Sequence, residues 1–134
     1  MSKFIVSLAT LALMSLILMQ SPIATATSQS KAIQGVWSYR WGPLPDYTKE
    51  DCKPGSGTVT ITEHSIAFQG RFDGDKDDFT NSGSWAKVED EQGHRAYDLK
   101  WSGSTDKVLL SSTGENFSGR SGKCYVQGVK QHGK

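Results

Sequence analysis

The stretch IQGVWSYRW, residues 33–41, places a large aromatic side chain at every second position of its second half. Trp37, Tyr39 and Trp41 alternate with Ser38 and Arg40, so the period of the pattern is two rather than the 3.6 of a helix. Because residues two apart lie on the same face of a β-strand, the three aromatic residues share one face. The stretch therefore predicts a strand that has an aromatic face and a polar face.

The same period continues through the rest of the chain, in short segments separated by turns that contain glycine. The clearest alternation is HRAYDLKW, residues 94–101, in which Tyr97, Leu99 and Trp101 share a face. Short strands at this spacing are typical of an antiparallel barrel or sandwich. We expect about eight strands, with loops at 42–57 and 71–81; the predicted strands are 33–41, 58–62, 66–70, 82–90, 94–101, 107–112, 115–119 and 123–130.

The N-terminal region has the three parts of a secretory signal peptide. Lys3 precedes an apolar run at residues 4–19, and Ala24-Thr25-Ala26 provides a cleavage site of small residues. The apolar run is short for a membrane span, although an uncleaved anchor is the alternative. We therefore predict a signal peptide at residues 1–26, a single domain at 27–134, and a periplasmic or secreted location without a membrane span after cleavage.

The two cysteines favour a barrel over a sandwich. An even number of cysteines in an exported chain predicts a disulfide, here between Cys52 and Cys124. Such a bond closes a loop of about 70 residues and stabilises the fold by roughly 4 kcal/mol. Cys52 follows the first predicted strand and Cys124 lies in the last, and these strands are neighbours in an up-and-down barrel. We predict a small all-β, antiparallel up-and-down barrel with one disulfide.

Charge and motifs argue against several classes of function. The chain has 15 basic and 14 acidic residues and a formal net charge of +1, and it contains no basic stripe that would favour nucleic acid. The three histidines lie in separate segments, and neither GxSxG nor HExxH is present. We therefore predict a protein that is not an enzyme, has no catalytic residues and needs no cofactor.

The segment DGDKDD, residues 73–78, offers carboxylates at the alternate spacing of a Ca²⁺ loop. The full pattern requires glycine at its sixth position and glutamate at its twelfth, where this chain has Asp78 and Ser84. We predict a solvated hairpin tip and no metal site, with weak Ca²⁺ binding as the alternative.

Gly35-Val36-Trp37 resembles the GxW motif of the lipocalin and calycin families. The resemblance implies a calycin-like barrel in which Trp37 packs across the closed end, and a ligand site in the barrel mouth. It thus predicts binding of a small apolar or amphipathic ligand, with Tyr39, Phe68 and Tyr97 as candidate cavity residues. Because a barrel of this size can be filled by its own side chains, the sequence leaves the existence of a cavity open.

Two further features suggest a protein partner instead. SGKCY, residues 121–125, resembles the SGxxY motif of periplasmic lysozyme inhibitors, which implies that Ser121 and Tyr125 contact the enzyme. Trp41 and Tyr47 flank a proline-rich segment, and an exposed tryptophan there is a candidate anchor for a partner. Inhibition of an enzyme such as lysozyme is therefore the alternative function.

Overall fold

The computed structural model describes residues 31–133, and these form a closed antiparallel barrel of eight strands. Each strand pairs with the next, and the last pairs with the first, so the predicted up-and-down barrel is confirmed. Within this range, no helix has the length and apolar character needed to cross a membrane. The predicted signal peptide, residues 1–26, lies outside the described residues. The strands are β1 Gly35–Pro43, β2 Gly55–Ile61, β3 Ile66–Phe72, β4 Phe79–Glu91, β5 His94–Trp101, β6 Ser104–Leu110, β7 Asn116–Ser121 and β8 Cys124–Lys130.

The barrel closes where β1 pairs with β8, in a register that runs from Trp37 opposite Lys130 to Pro43 opposite Cys124. The predicted disulfide lies at this seam: Cys52 is bonded to Cys124, which is 72 positions later in sequence, and their Cα atoms are 5.6 Å apart. Cys52 belongs to the loop between β1 and β2 and is only 4% exposed. The bond therefore holds this loop against the last strand.

The apolar core fills the end of the barrel at which β1 begins. Trp37 is fully buried there, and its indole N–H donates a 3.0 Å hydrogen bond to the Ile33 carbonyl oxygen. The Phe117 ring lies 4.9 Å from the Trp37 ring, and the Lys130 ammonium lies 5.4 Å from the Trp37 ring centroid. This end is closed by buried side chains on the remaining strands, among them Ile61, Ile66, Leu99 and Leu110.

Six strands begin or end beyond the limits expected from sequence: β1, β2, β3, β4, β6 and β7. β2 begins at Gly55 rather than at residue 58, while β3 continues to Phe72 and β4 begins at Phe79. The long loop predicted at 71–81 is therefore wrong, and only residues 73–78 connect these two strands. The reason is that Phe72 and Phe79 stack on each other, with ring centroids 4.9 Å apart, and so hold the two strand ends together.

Candidate functional site

The end of the barrel opposite Trp37 is open and forms a cavity of about 580 Å³, here called the mouth. A volume of this order is typical of small-molecule sites. The residues that line the mouth include Val126, Asn81, Ser104 and Lys123. Six aromatic side chains line it, and we call them the mouth cluster: Tyr39, Trp41, Phe68, Phe72, Phe79 and Trp101.

The rings of the mouth cluster contact one another along one side of the opening. The Trp41 ring lies 5.5 Å from the Phe68 ring and 5.6 Å from the Phe72 ring, and both pairs meet edge to face. The Trp41 indole N–H donates a 2.8 Å hydrogen bond to the Lys53 carbonyl oxygen. The expectation that Trp41 is exposed at a strand end is therefore wrong, because the neighbouring rings and the β1–β2 loop partly bury it.

Glycines at inward-facing positions make room for these rings. A Cβ atom at Gly57 would lie 2.7 Å from the Phe68 ring and 2.7 Å from the Gly70 Cα, and one at Gly55 would collide with the Trp41 ring. Such distances are too short for a real side chain. The wall formed by β2 and β3 therefore has no inward side chains at these positions, and the rings of Trp41 and Phe68 occupy the space.

Asp106 of β6, the one buried carboxylate in the part of the chain that the structure describes, lies at the floor of the mouth and is 2% exposed. Its Oδ2 atom accepts a 2.6 Å hydrogen bond from the Tyr39 hydroxyl and a 2.9 Å hydrogen bond from the Trp101 indole N–H. The Ser121 side chain also interacts with this carboxyl and favours its charged form. Burial raises the pKa of Asp106, and these hydrogen bonds act in the opposite direction.

The Tyr39 hydroxyl shares this environment. Its pKa is raised far above the ordinary tyrosine value, chiefly by burial and then by the nearby charge of Asp106. Tyr39 therefore stays protonated and remains a hydrogen-bond donor throughout the physiological pH range.

The β1–β2 loop forms one side of the rim and is fixed to the barrel at several points. Besides the disulfide, the Leu44 amide donates a 3.0 Å hydrogen bond to the Lys123 carbonyl oxygen. The Lys123 ammonium lies 3.7 Å from an Asp51 carboxylate oxygen, and the Thr48 amide holds the pKa of Asp51 below its usual value. These bonds hold the β1–β2 loop, and with it this side of the rim, against the last two strands and their connecting turn.

The acidic loop at residues 73–78 makes ion pairs with neighbouring basic side chains. Asp78 lies 2.7 Å from Arg71, and Asp75 lies 3.4 Å from Lys53. Within residues 31–133, no three side chains of the metal-ligating types come close enough to hold a metal ion. Two acidic residues of this hairpin tip therefore contact basic side chains, one on the β1–β2 loop and one at the end of β3.

The structure brings together four of the seven predicted binding residues. Tyr39, Trp41, Phe68 and Ser121 all line the mouth. Tyr97 is fully buried in the closed half, where its ring lies 5.9 Å from the Trp85 ring. Tyr97 is two residues from the buried Leu99 and therefore also points inward, but it lies farther from the mouth along β5.

The other two predicted residues lie outside the mouth. Tyr47 is 41% exposed on the β1–β2 loop, and the Lys123 ammonium lies 5.8 Å from its ring centroid. Tyr125 lies on the outer face of the barrel, where its ring covers Gly42 of the paired strand. Ser121 pairs with Cys124 across the β7–β8 hairpin, and both residues line the mouth, whereas Tyr125 is the residue after Cys124 and therefore points to the opposite side of the barrel wall.

Sequence reasoning missed Asp106, Phe72 and Phe79 as lining residues. Asp106 fell in a predicted turn, although it is two residues before Val108 and four before Leu110, both buried. Phe72 and Phe79 fell in the predicted charged loop. In each case the residue lies an even number of positions from an inward-facing residue of the adjacent strand. The alternation of that strand therefore extends into the polar segment, and this was the signal that could have identified the residue.

Comparison with known proteins gives no match: no family model, curated protein or solved structure matches the chain. The resemblances to lipocalins and to lysozyme inhibitors therefore rest on their short motifs. What the site can do follows from its geometry, which combines an open aromatic cavity, a fixed rim and one carboxylate at the floor.

Proposed function

We propose that this protein is an exported, non-catalytic binding protein that holds a small amphipathic ligand in the mouth. The observation that carries the proposal is the cavity of about 580 Å³ lined by the six rings of the mouth cluster. Aromatic rings bury large apolar areas, and binding pockets are commonly lined by them together with a few polar groups. The disulfide is typical of proteins in oxidising compartments, which supports a periplasmic or secreted location.

Two features support a ligand with an apolar part rather than a wholly polar one. The indole N–H groups of Trp41 and Trp101 are already used in hydrogen bonds within the protein. Their rings therefore offer apolar faces to the cavity rather than unsatisfied donors. The polar groups that remain are concentrated at the floor, around Asp106, and at the rim, around Lys123 and Asp51.

Inhibition of an enzyme through the SGxxY motif has less support. Ser121 lines the mouth, whereas Tyr125 covers Gly42 on the outer face. The two side chains thus project from opposite sides of the sheet and do not form one surface for a partner. The geometry favours the mouth as the functional site.

A blocking variant tests the proposal. Asn81 lines the mouth, whereas the next residue, Ser82, is exposed and points outward. We expect Asn81→Trp to fill part of the cavity and to weaken binding of N-phenyl-1-naphthylamine, an uncharged fluorescent probe, at least tenfold. Ser82→Trp adds the same ring to the outer face and serves as the matched control, with circular dichroism to verify that both variants fold.

The proposal fails if the wild-type protein does not enhance the fluorescence of the probe. It also fails if Asn81→Trp and Ser82→Trp bind the probe as well as the wild type does, because the probe would then lie outside the mouth. In a parallel turbidity assay, inhibition of lysozyme that is lost in Tyr125→Ala would favour the protein-partner alternative.

A further inference from the structure

We infer that the mouth selects ligands whose polar end is an organic cation, with the ammonium group facing Asp106 and the apolar tail directed toward the rim. This inference rests on the proposed function and adds the chemical class of the ligand. It depends on three observations: the unpaired charge of Asp106, the arrangement of the rings around it, and its hydrogen bonds.

The first observation is that Asp106 has no cationic partner. Among residues 31–133, no lysine, arginine or histidine forms a salt bridge with it. The other two charged residues that line the mouth, Asp51 and Lys123, form an ion pair with each other. The mouth therefore has one negative charge in excess when Asp106 is ionised. An unpaired carboxylate buried in this way is unfavourable, and a bound cation would compensate for it.

The second observation is the set of rings that share the cavity with this carboxylate. Tyr39 and Trp101 both contact Asp106, and their ring centroids are 6.4 Å apart. The Phe68 ring lies 5.9 Å from the Tyr39 ring and lines the same cavity. The face of an aromatic ring attracts cations, and quaternary ammonium groups in particular are recognised by several rings together. The same rings give an anionic ligand no compensating attraction.

The third observation is the way in which the carboxylate is held. Tyr39 and Trp101 both donate to Oδ2, so these two bonds fix the orientation of the carboxyl group and leave Oδ1 outside them. Because Oδ2 accepts two hydrogen bonds, both of its acceptor positions are occupied, and a proton on Oδ2 would disrupt this arrangement. The carboxyl group is thus held in place before a ligand binds, at the floor of the cavity that Asp106 lines.

Cation binding and ionisation of Asp106 are expected to be coupled. Burial favours the neutral form of the carboxyl, whereas a bound cation favours the ionised form. A quaternary ammonium keeps its charge at every pH, so its affinity should rise as pH increases through the titration of Asp106. The groups that face Asp106 are Tyr39, Trp101 and Ser121, and the other charged lining residues are Asp51 and Lys123. Tyr39 stays protonated and Asp51 stays ionised above pH 5, because their pKa values are raised and lowered respectively.

Three probes with the same tail and different head groups test the inference: octyltrimethylammonium, 1-octanol and octanoate. Each is titrated into the full domain, and tryptophan fluorescence and calorimetry report binding between pH 4 and pH 8. We expect octyltrimethylammonium to bind at least tenfold more tightly than 1-octanol, and octanoate to bind most weakly. Asp106→Asn should reduce the affinity for octyltrimethylammonium at least tenfold, change that for 1-octanol less than threefold, and abolish the pH dependence. Asp77→Asn, in the exposed 73–78 loop, removes a carboxylate outside the mouth and is the matched control, which should leave both affinities unchanged.

The outcomes separate this inference from the function on which it rests. Similar affinities for octyltrimethylammonium and 1-octanol overturn the inference and leave the proposed function intact. Tightest binding of octanoate also overturns it. Failure of all three probes and of the uncharged naphthylamine to bind removes the proposed function as well. If Asp106→Asn does not fold, the pH dependence of the wild type decides, because an affinity for octyltrimethylammonium that is constant with pH contradicts the coupling.

Discussion

The Tyr39 hydroxyl donates a 2.6 Å hydrogen bond to Asp106 Oδ2 and thereby joins two strands, β1 and β6, that are not neighbours in the barrel. The bond crosses the interior at the level where the packed core ends and the open mouth begins. Both groups are almost completely buried, so the bond forms in surroundings from which water is largely excluded. Tyr39 and Asp106 therefore contribute both to the stability of the barrel and to the shape of its cavity.

Removal of the Tyr39 hydroxyl should destabilise the protein measurably. Tyr39→Phe leaves the buried Asp106 carboxyl without one of its donors, and loss of a partner by a buried polar group costs about 1–3 kcal/mol. We expect the free energy of unfolding, measured in urea at pH 7, to fall by about this amount. Tyr125→Phe removes a hydroxyl from the outer face and is the control. Equal effects of the two substitutions would contradict the role given to this bond.

The stability of the protein should depend on pH through Asp106. Burial raises its pKa above the ordinary value of 3.8, so the folded state binds this proton more tightly than the unfolded state does. The resulting stabilisation is complete below pH 3.8 and is lost as pH rises through the folded-state pKa. Relative to Asp106→Asn, the wild type should therefore lose stability as pH increases from 4 toward neutrality.

The measurement for this prediction is the difference in unfolding free energy between the wild type and Asp106→Asn at a series of pH values. Asp77→Asn, in the exposed 73–78 loop, controls for the loss of a surface carboxylate. A difference that stays constant with pH, or one that changes in the opposite direction, would show that the surroundings of Asp106 do not disfavour its charge.

Loss of the disulfide should affect both stability and the rim. Replacement of Cys52 and Cys124 by alanine opens a loop of 72 positions, and the greater entropy of the unfolded chain should cost about 4 kcal/mol of stability. The β1–β2 loop should also loosen, so binding of the naphthylamine probe should weaken even under conditions in which the variant is folded. Urea denaturation and probe titration test the two effects separately. An unchanged midpoint would contradict the stabilising role of the bond.

A methyl group at an inward-facing glycine of β2 should strain the barrel. A Cβ at Gly57 would collide with the Gln69 carbonyl oxygen and press on the Phe68 ring. Overpacking of this kind typically costs about 1–3 kcal/mol. We expect Gly57→Ala to lower the melting temperature, whereas Ser56→Ala, at the exposed neighbouring position, should change it little. If Gly57→Ala is as stable as the wild type, the wall has more room than the structure indicates.

Much of the fold could be predicted from residues 33–41 and the two cysteines. The alternation around Trp37 identified a strand with one buried face, and the positions of Cys52 and Cys124 indicated which strands meet. Both inferences depend on local periodicity or on the covalent constraint of a disulfide, and a single sequence contains both kinds of information.

The site was harder to predict because it depends on contacts between distant strands. Trp41 is partly buried by the rings of Phe72 and Phe79, which are more than thirty positions away in sequence. The residues next to Trp41 in sequence do not predict these ring contacts. The role of Asp106 depends on Tyr39, 67 positions earlier. Tyr97 shows the converse problem: its alternation correctly indicates an inward direction, but alternation alone does not give the height of a residue along the barrel axis.

The separation of core and mouth along the barrel axis makes this protein a suitable starting point for directed evolution. Residues such as Phe72, Phe79 and Asn81 surround the opening, whereas Trp37 and Phe117 pack at the far end. Libraries randomised at the opening should therefore contain many folded members with altered ligand preference.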